Sequence, residues 1–527
     1  MQIPVVTEET IDAIPTNTLV RCVGMVQDML NPEYYIAEYK DANGAWQTTR
    51  YSDEMGDVEC QSNGGETKFD ERQPMLVVPV PGLAPWMKGA QREKAMESVA
   101  SLIGQTAHGG GGSGKKRNLE DVEVVQGDCE FSQEGLDRAT MVGKRMVQGK
   151  SEEAKEMTKP LGLPAIPSGS CVAHVYDKDH DIRLNDVVEV IGVLSRVPEI
   201  ATCADLMQED GDAVASRIPT SVAPRVHALL IQKQDQLYPG PLALQIDPSS
   251  VEQARSRAKG FLSMVLGGDD LSAEYLLLQL ISRVHMRGQN AGQEAIGTMP
   301  MNFIGAPAYE CGNAESIKLS SLGEVLYVAL GGLMPAICGL PLHIDLLNKQ
   351  PWYPGRTQDQ TFLSHAFLQL ASGSVVLLDE TVMNAGQLQE TGLKNLGALQ
   401  QLMQTQKVPY DFQYYHLDQP ADSPVIILSV GKSMFKESGG IIVPLHGATR
   451  PAGGKDAVLS ALEKCDAVPT RQYLAAMRKL DFTIPSSIEK LVEQEMTDAR
   501  KTDASNITVE TFHMWLNVRG QSIYYLC

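Results

Sequence analysis

Over the first eighty positions apolar residues alternate with polar ones or bunch into short runs, the period of β-strands. TLVRCVGMVQDM from Thr18, EYYIAEYK from Glu33, AWQTTRY from Ala45 and MLVVPVP from Met75 each read as a strand. Tyr35, Ala37 and Tyr39 fall on one face, and Asn43-Gly44 is the hairpin signal. Strand character returns at CVAHVY from Cys171 and, beyond the polar DKDHDIRLND, at VVEVIGVLSRV from Val187. Short strands with tight turns predict a small barrel built from residues 1–82 and 168–200 and split by an insertion over 83–167. The insertion (GGGGSGKKR, NLEDVEVVQGDCE, SEEAKEMTKP) reads as flexible linker with a short helix over 91–102.

After a polar connection, 201–219, the period changes. A second unit is expected from about residue 220, opening on SVAPRVHALLIQK. Asp269 and Asp270 can cap a helix over Leu271–Arg287, which is apolar around most of its circumference and therefore buried. Then come a strand (MPMNFIGAP), a helix (ESIKLSSLGEVLYVAL), a strand-rich segment (AICGLPLHIDLLN) and a helix (QDQTFLSHAFLQLA). The series continues as a strand (SVVLLDE), a helix (LKNLGALQQLMQTQ) and two strands (DFQYYHL, PVIILSV). Such alternation predicts a three-layer α/β unit over 220–465, followed by a helical region over 466–527.

Composition narrows the class. The 527 residues, 43% hydrophobic and 21% charged, suit a folded multi-domain chain. A net charge of −20 disfavours a broad phosphate-binding surface. The nine cysteines are scattered without a CxxC pair and predict reduced core thiols, not a zinc site or a disulfide framework. The N-terminus lacks the basic and apolar regions of a signal peptide, so an intracellular protein is expected.

The sharpest chemical candidate is the stretch from Ser372 to Leu388. Its apolar run Val375–Leu378 ends in Asp379 and Glu380, the pattern of a buried strand whose edge carries magnesium and water in nucleotide hydrolases. The matching phosphate loop should follow MPMNFIG. There the chain reads Gly305 to Ala314 with no lysine, no Ser or Thr after Asn313, and an added acid at Glu310. Gly109–Lys116 satisfies GxxxxGK, yet Lys116 stands where a hydroxyl is required and no strand precedes it. Gly431-Lys432-Ser433 lacks the first glycine, since position 426 is isoleucine, and reads as an ordinary strand end. The basic cluster Lys115-Lys116-Arg117, with Lys144-Arg145, has the form of a nuclear-import signal but is weak. No HExxH, HxxxH or GxSxG spacing occurs. Asp379 and Glu380 are thus a Walker-B-like remnant. No catalytic, cofactor-binding or metal residues are assigned.

Longer segments resemble a known family, the mini-chromosome maintenance (MCM) complex-binding proteins. They are LVRCVGMVQDMLNPEYYIAEYK at 19–40, GDDLSAEYLLLQLISRVHMR, the stretch Ser374–Pro420, and the C-terminal ITVETFHMWLNVR. The family's N-terminal helical extension is expected to be short or absent, since the sequence starts close to its first barrel strand. The resemblance implies an α/β multi-domain fold: an OB-like β-barrel with a long insertion, a degenerate AAA+-like three-layer domain and a C-terminal helical lid-like region. It also implies a nuclear, non-enzymatic binding partner of MCM helicase subunits, without cofactor, membrane or small-molecule substrate, and with DNA contact at most indirect or weak. Such a partner acts in assembly, chaperoning or unloading of the complex and supports cell-cycle progression and sister chromatid cohesion. Two alternatives compete: a nucleotide-binding AAA+-type ATPase built around Gly305 and Asp379, and a single-strand binder stacking bases on Tyr34, Tyr35, Tyr39 and Trp46. Buried barrel core is the plainer reading of those rings.

Overall fold

A computed structural model describes residues 3–40, 44–53, 67–89, 166–197, 218–234, 237, 248–287, 295–308, 318–357, 360, 362–435, 440–446, 454–464, 467–480, 493–495, 497–498 and 501. The chain divides into two compact units. One comprises Met1–Val80, Pro85–Asp235 and Arg356–His365; the other comprises Pro81–Ala84, Gln236–Gly355 and Ala366–Cys527.

The first unit is one mixed sheet of eight strands: β1 (Val5–Val6), β2 (Leu19–Met29), β3 (Glu33–Lys40), β4 (Trp46–Thr48), β5 (Thr67–Val78), β6 (Cys171–Val175), β7 (Val187–Ser195) and β8 (Arg225–Lys233). Their order is β1-β2-β7-β8-β6-β5-β3-β4, and a further β2–β5 pairing joins β2, β7, β8, β6 and β5 into a closed ring. Pairs in the ring are antiparallel except β6 with β8. Closure turns alternate residues inward, and Val20, Cys22, Met75, Val77, Cys171, Ala173, Val188, Val190 and Val226 form the core. Cys22 and Cys171 are free thiols inside it, with sulfurs 3.3 Å apart.

Two expectations need correction here. The segment SVAPRVHALLIQK does not open the second unit: its β8 pairs with β6 and β7 and completes the first. Periodicity could not show this, because a strand reads alike in either sheet. Nor do Tyr35, Ala37 and Tyr39 share a face. A bulge between Ile36 and Glu38 interrupts the alternation, so Tyr35, Ile36 and Tyr39 are all buried.

The second unit starts in order with α1 (Pro248–Val265), α2 (Asp270–Ile281), β9 (Met286–Arg287), β10 (Ala295–Ile296), β11 (Met301–Ile304), α3 (Ser321–Leu333), β12 (Ile337–Pro341) and α4 (Ile344–Lys349). It continues with β13 (Val375–Asp379), α5 (Glu390–Thr405), β14 (Lys407–Asp411), β15 (His416–Pro420), β16 (Val425–Ser429), β17 (Ile441–Pro444), α6 (Gly454–Lys464) and α7 (Ala467–Lys479). Five strands make a sheet in the order β12-β13-β16-β11-β17, every neighbouring pair parallel. β9 with β10, and β14 with β15, are separate antiparallel pairs.

The acidic cap of α2 is where the sequence puts it. The Asp269 carboxylate accepts the Ser272 amide at 3.0 Å and its hydroxyl at 2.8 Å. The helix is shorter than expected, ending at Ile281 before β9. Helix α1, strand β17 and helix α6 have no counterpart in the sequence reading, and DFQYYHL spans the turn between β14 and β15 instead of forming one strand. The helix expected over QDQTFLSHAFLQLA does not form among its described residues. In the first unit Asp28 accepts the Leu363 amide at 2.8 Å and the Gln27 amide donates to the Leu363 carbonyl at 3.0 Å. Those side chains take the backbone groups a helix would need, and buried contacts override local propensity. The expected helix at 91–102, the hairpin residue Asn43, and most of the C-terminal helical region beyond α7 lie outside the described residues.

Ring closure depends on two close approaches. A Cβ at Gly24 would lie 2.5 Å from the Val78 carbonyl oxygen, and one at Gly192 would collide with the His227 carbonyl. Gly24→Ala and Gly192→Ala are each expected to cost about 1–3 kcal/mol through overpacking. Thermal melting of the variants checks this; the control Gly89→Ala, where the added carbon has open space, should melt like the parent.

Candidate functional site

The parallel strands β11, β13 and β16 end at one edge of their sheet, where open α/β sheets bind ligands. β13 is buried along its whole length, as its unbroken apolar run requires, and delivers Asp379 and Glu380 to that edge. The structure brings both sequence-predicted acids to the site. It gives them different work.

Asp379 is fully buried. One carboxylate oxygen accepts the Thr381 amide at 3.1 Å and its hydroxyl at 2.6 Å; the other accepts the Ser320 amide at 2.7 Å. Ser320 is the N-cap of α3 and in turn accepts the Gly323 amide at 3.1 Å. Asp379 thus places its negative charge at the positive end of the helix that follows β11, where a nucleotide phosphate sits in a phosphate-loop protein. Gly323 leaves the necessary room, since a Cβ there would meet the Asp379 carboxylate. This carboxylate is committed within the fold.

Glu380 is largely buried, and one oxygen accepts the Ser433 hydroxyl at 2.7 Å. Burial pushes its carboxyl up to about 7 against the lowering effect of the Ser433 and Met434 hydrogen bonds, and the neighbouring Asp379 charge adds to the rise. Ser433 belongs to the Gly431-Lys432-Ser433 turn read as an ordinary strand end. No motif marks its bond to Glu380, because the partners are 53 positions apart. Across the edge, Ser429 at the end of β16 donates to the Asn302 side chain of β11 at 2.8 Å. Gly305 has φ +86°, and Lys318 is exposed two positions before the cap Ser320. Residues 309–317, with Glu310, Gly312 and Asn313, lie outside the described residues, as do Gly109–Lys116, Lys115-Lys116-Arg117 and Lys144-Arg145.

The first unit holds a second cluster, which sequence spacing does not reveal. Asp53, His174 and His227 present ligand-type atoms within 4.8 Å of one another, all buried. Asp53 is nevertheless surrounded by cations and donors. One oxygen lies 2.9 Å from the Arg225 guanidinium, 3.1 Å from His227 Nε2 and 2.7 Å from the Ser195 hydroxyl; the other is 3.8 Å from Arg72. The Tyr176 hydroxyl and His227 Nδ1 are 2.7 Å apart. Burial alone would raise the Asp53 carboxyl, but the hydrogen bond and charge of His227, with Arg225, hold it well below the carboxylate range. Desolvation drives His174 far below its usual value and keeps it neutral. A divalent ion here would face two buried guanidiniums, so the donor set fits a charge cluster that ties residue 53 to β5, β7 and β8 and does not fit a metal.

The four rings offered as a base-stacking platform do not form one. Tyr35 and Tyr39 are buried, and Tyr35 packs edge-on against Tyr176 at 5.3 Å. Tyr34 and Trp46 are exposed on opposite faces. Trp46 stands 4.3 Å from the Lys68 ammonium and 5.1 Å from that of Lys40, while Tyr34 pairs with Glu71 on the face of Phe69, the residue after Lys68.

Both clusters give pH-dependent expectations. Glu380 has a folded value above its ordinary 4.5, so between about 4.5 and about 7 the folded state keeps a proton that the unfolded chain has released. Stability should therefore fall as pH rises through that window and then level off. Glu380→Gln, which retains an acceptor for Ser433, should abolish that fall, on the order of 2 kcal/mol, in denaturant titrations at pH 5 and pH 8. Asp53 has the opposite sign: its contribution is present above the unfolded value of about 3.9 and is lost in acid. Asp53→Ala removes the carboxylate that Arg225 and His227 face and should cost about 3–5 kcal/mol at pH 7, a difference that shrinks below pH 4.

A family model described as "Mini-chromosome maintenance replisome factor" matches residues 1–520. The chain is similar to the mini-chromosome maintenance complex-binding protein of Arabidopsis thaliana, 30% identical with 99% of this chain and 86% of that protein covered. Its likenesses in Gallus gallus and Homo sapiens are each 28% identical, covering 98% of this chain and 86% of theirs. With nearly every residue matched, the chain belongs to the mini-chromosome maintenance replisome factor family.

Proposed function

We propose that this chain is a non-enzymatic binding partner of MCM replicative helicase subunits. It acts in the nucleus in assembly, chaperoning or unloading of the complex, and through that in cell-cycle progression and sister chromatid cohesion. Family membership and the names of the relatives support the partner; the net charge of −20 suits a protein partner better than bare DNA.

The observation that carries the non-enzymatic part is the seat of Asp379 on the cap of α3. A helix end already neutralised by a buried carboxylate repels phosphate, and an aspartate with both oxygens engaged inside the fold is poorly placed to hold magnesium. On this reading the second unit is a degenerate AAA+-like domain: its parallel sheet keeps an acidic strand end beside the helix that follows β11, and the chemistry between them has been replaced by a structural bond. The closed ring of five strands, with the long stretch between β5 and β6, supports reading the first unit as an OB-like barrel with an insertion. The helical region from 466 then takes the place of a lid.

Affinity capture from nuclear extract with the folded chain is expected to recover MCM subunits, and recovery of none would overturn the assignment. In parallel, isothermal titration with magnesium-ATP at millimolar concentration should give no saturable binding. Saturable binding that Asp379→Asn weakens would favour a nucleotide-gated AAA+ protein instead.

A further inference from the structure

Among the described residues of the second unit, the β14–β15 hairpin exposes a cluster of large side chains. Its connection is Phe412-Gln413-Tyr414-Tyr415, closed by the Phe412 amide on the Tyr415 carbonyl at 3.0 Å and by Gln413 at φ +67°. Tyr414 is 73% exposed, Tyr415 58% and Leu417 46%, and the Phe412 and Tyr415 rings stack 5.0 Å apart at 13°. Four of the five residues of β15 are exposed, in contrast with β14, whose Val408 and Tyr410 are buried in the unit.

The base of this arm is firmly rooted. Gln406 ends α5 in the left-handed region, and its side chain exchanges two hydrogen bonds with the Ser423 backbone at 2.8 and 3.1 Å. The Ala421 amide donates to the Gln406 carbonyl at 2.8 Å, the Arg287 guanidinium reaches the Gln406 carbonyl at 2.9 Å, and the Asp411 amide donates to Pro354. Aromatic rings held out on a fixed base lose little freedom on binding, and such preorganised Tyr residues are the usual centres of protein interfaces.

Charge decides what the arm meets. From Lys407 to Gly431 the chain has three aspartates, Asp411, Asp418 and Asp422, against one lysine, Lys407 at the root of β14, and no arginine. Asp422 is paired with Arg478, which leaves Asp411 and Asp418 on the hairpin itself. Phosphates would be repelled by that pair, so nucleic acid is disfavoured. From the rooted base, the exposed rings and the acidic flank we infer that this hairpin docks, through Tyr414, Tyr415 and Leu417, into an apolar pocket rimmed by Lys and Arg on a subunit of the MCM complex. The inference rests on the reading under Proposed function and adds the surface through which this chain makes that contact.

The test measures binding of the fluorescently labelled full chain to purified MCM complex. Tyr414→Ser/Tyr415→Ser/Leu417→Thr should weaken binding at least about tenfold, a loss of about 1.4 kcal/mol. Tyr34→Ser, at an equally exposed ring of the first unit, should leave it within twofold. The single exposed change Asp418→Lys should also weaken binding, more strongly at low salt than at high salt, and keeps the proposal falsifiable if the triple variant does not fold. Binding by folded triple variant, or by Asp418→Lys, within twofold of the parent overturns the inference while leaving MCM binding intact. Absence of binding by the parent chain removes the functional reading itself. Two further arms can also overturn it: labelled single-stranded DNA whose binding the triple variant abolishes, or a parent dimer that the variant turns into a monomer in sedimentation.

Discussion

The second unit is built around a buried carboxylate bonded to the start of a helix. Asp379 ends β13, and its bond to the Ser320 amide fixes α3 against the strand while its bonds to Thr381 shape the turn that follows. An unpaired aspartate with no exposed surface would carry a heavy desolvation penalty. Here four partners on two segments remove it: three donors and the positive end of the α3 dipole. The arrangement explains why Gly323 sits one turn into α3, since any side chain there would displace the carboxylate. It also separates two acids adjacent in sequence: Asp379 faces backbone donors, whereas Glu380 is buried with a hydroxyl and a rising affinity for its proton.

The first unit solves a related problem with Asp53. That carboxylate is not at a strand end but in the short stretch after β4, and it is held by Arg225 of β8, Ser195 of β7 and His227 of β8. The cluster looks like a set of metal ligands when only its Asp and His atoms are counted. Adding Arg225 and Arg72 reverses the conclusion, because the positive charge a cation would bring is already supplied by the protein. Buried ion pairs of this kind add specificity more surely than stability: the pairing is satisfied only when residue 53, β5, β7 and β8 are in register.

How much of this was legible in the sequence follows from the range of the forces involved. Strands β2, β3, β4, β6 and β7, the cap at Asp269 and the helix over 390–405 are set by local periodicity and capping and form close to where the sequence puts them, whereas β1 and the first part of β5 have no counterpart in the sequence reading. Three features were not legible. The allegiance of β8 depends on pairing with β7 and β6, whose partner residues lie 30 to 53 positions earlier in the chain. The segment at 362–371 has helical composition, but the Leu363 backbone is bonded to Asp28 and Gln27, more than three hundred positions distant. The bulge at Ala37 flips a face that strict alternation would keep. At the candidate site, Asp379 and Glu380 were visible as an apolar run ending in acids, while Ser320 and Ser433 were not, because a serine before a helix or after a strand is ordinary in sequence and gains meaning only from the carboxylate it meets.

Binding and turnover make opposite demands on the edge of a parallel sheet. Turnover needs an open helix end, a mobile metal and a carboxylate with free oxygens; a binding shell needs the same edge closed so that the unit holds one shape without ligand. In this chain the Asp379 carboxylate occupies the start of α3, so that helix end is already neutralised from within the fold. A unit whose shape does not wait for a ligand can present a rooted hairpin in one conformation, and the entropy that ordering would have cost on association is already met in folding. The two devices are separate in the chain: Asp379 closes the start of α3, and Gln406, Ser423 and Arg287 fix the hairpin.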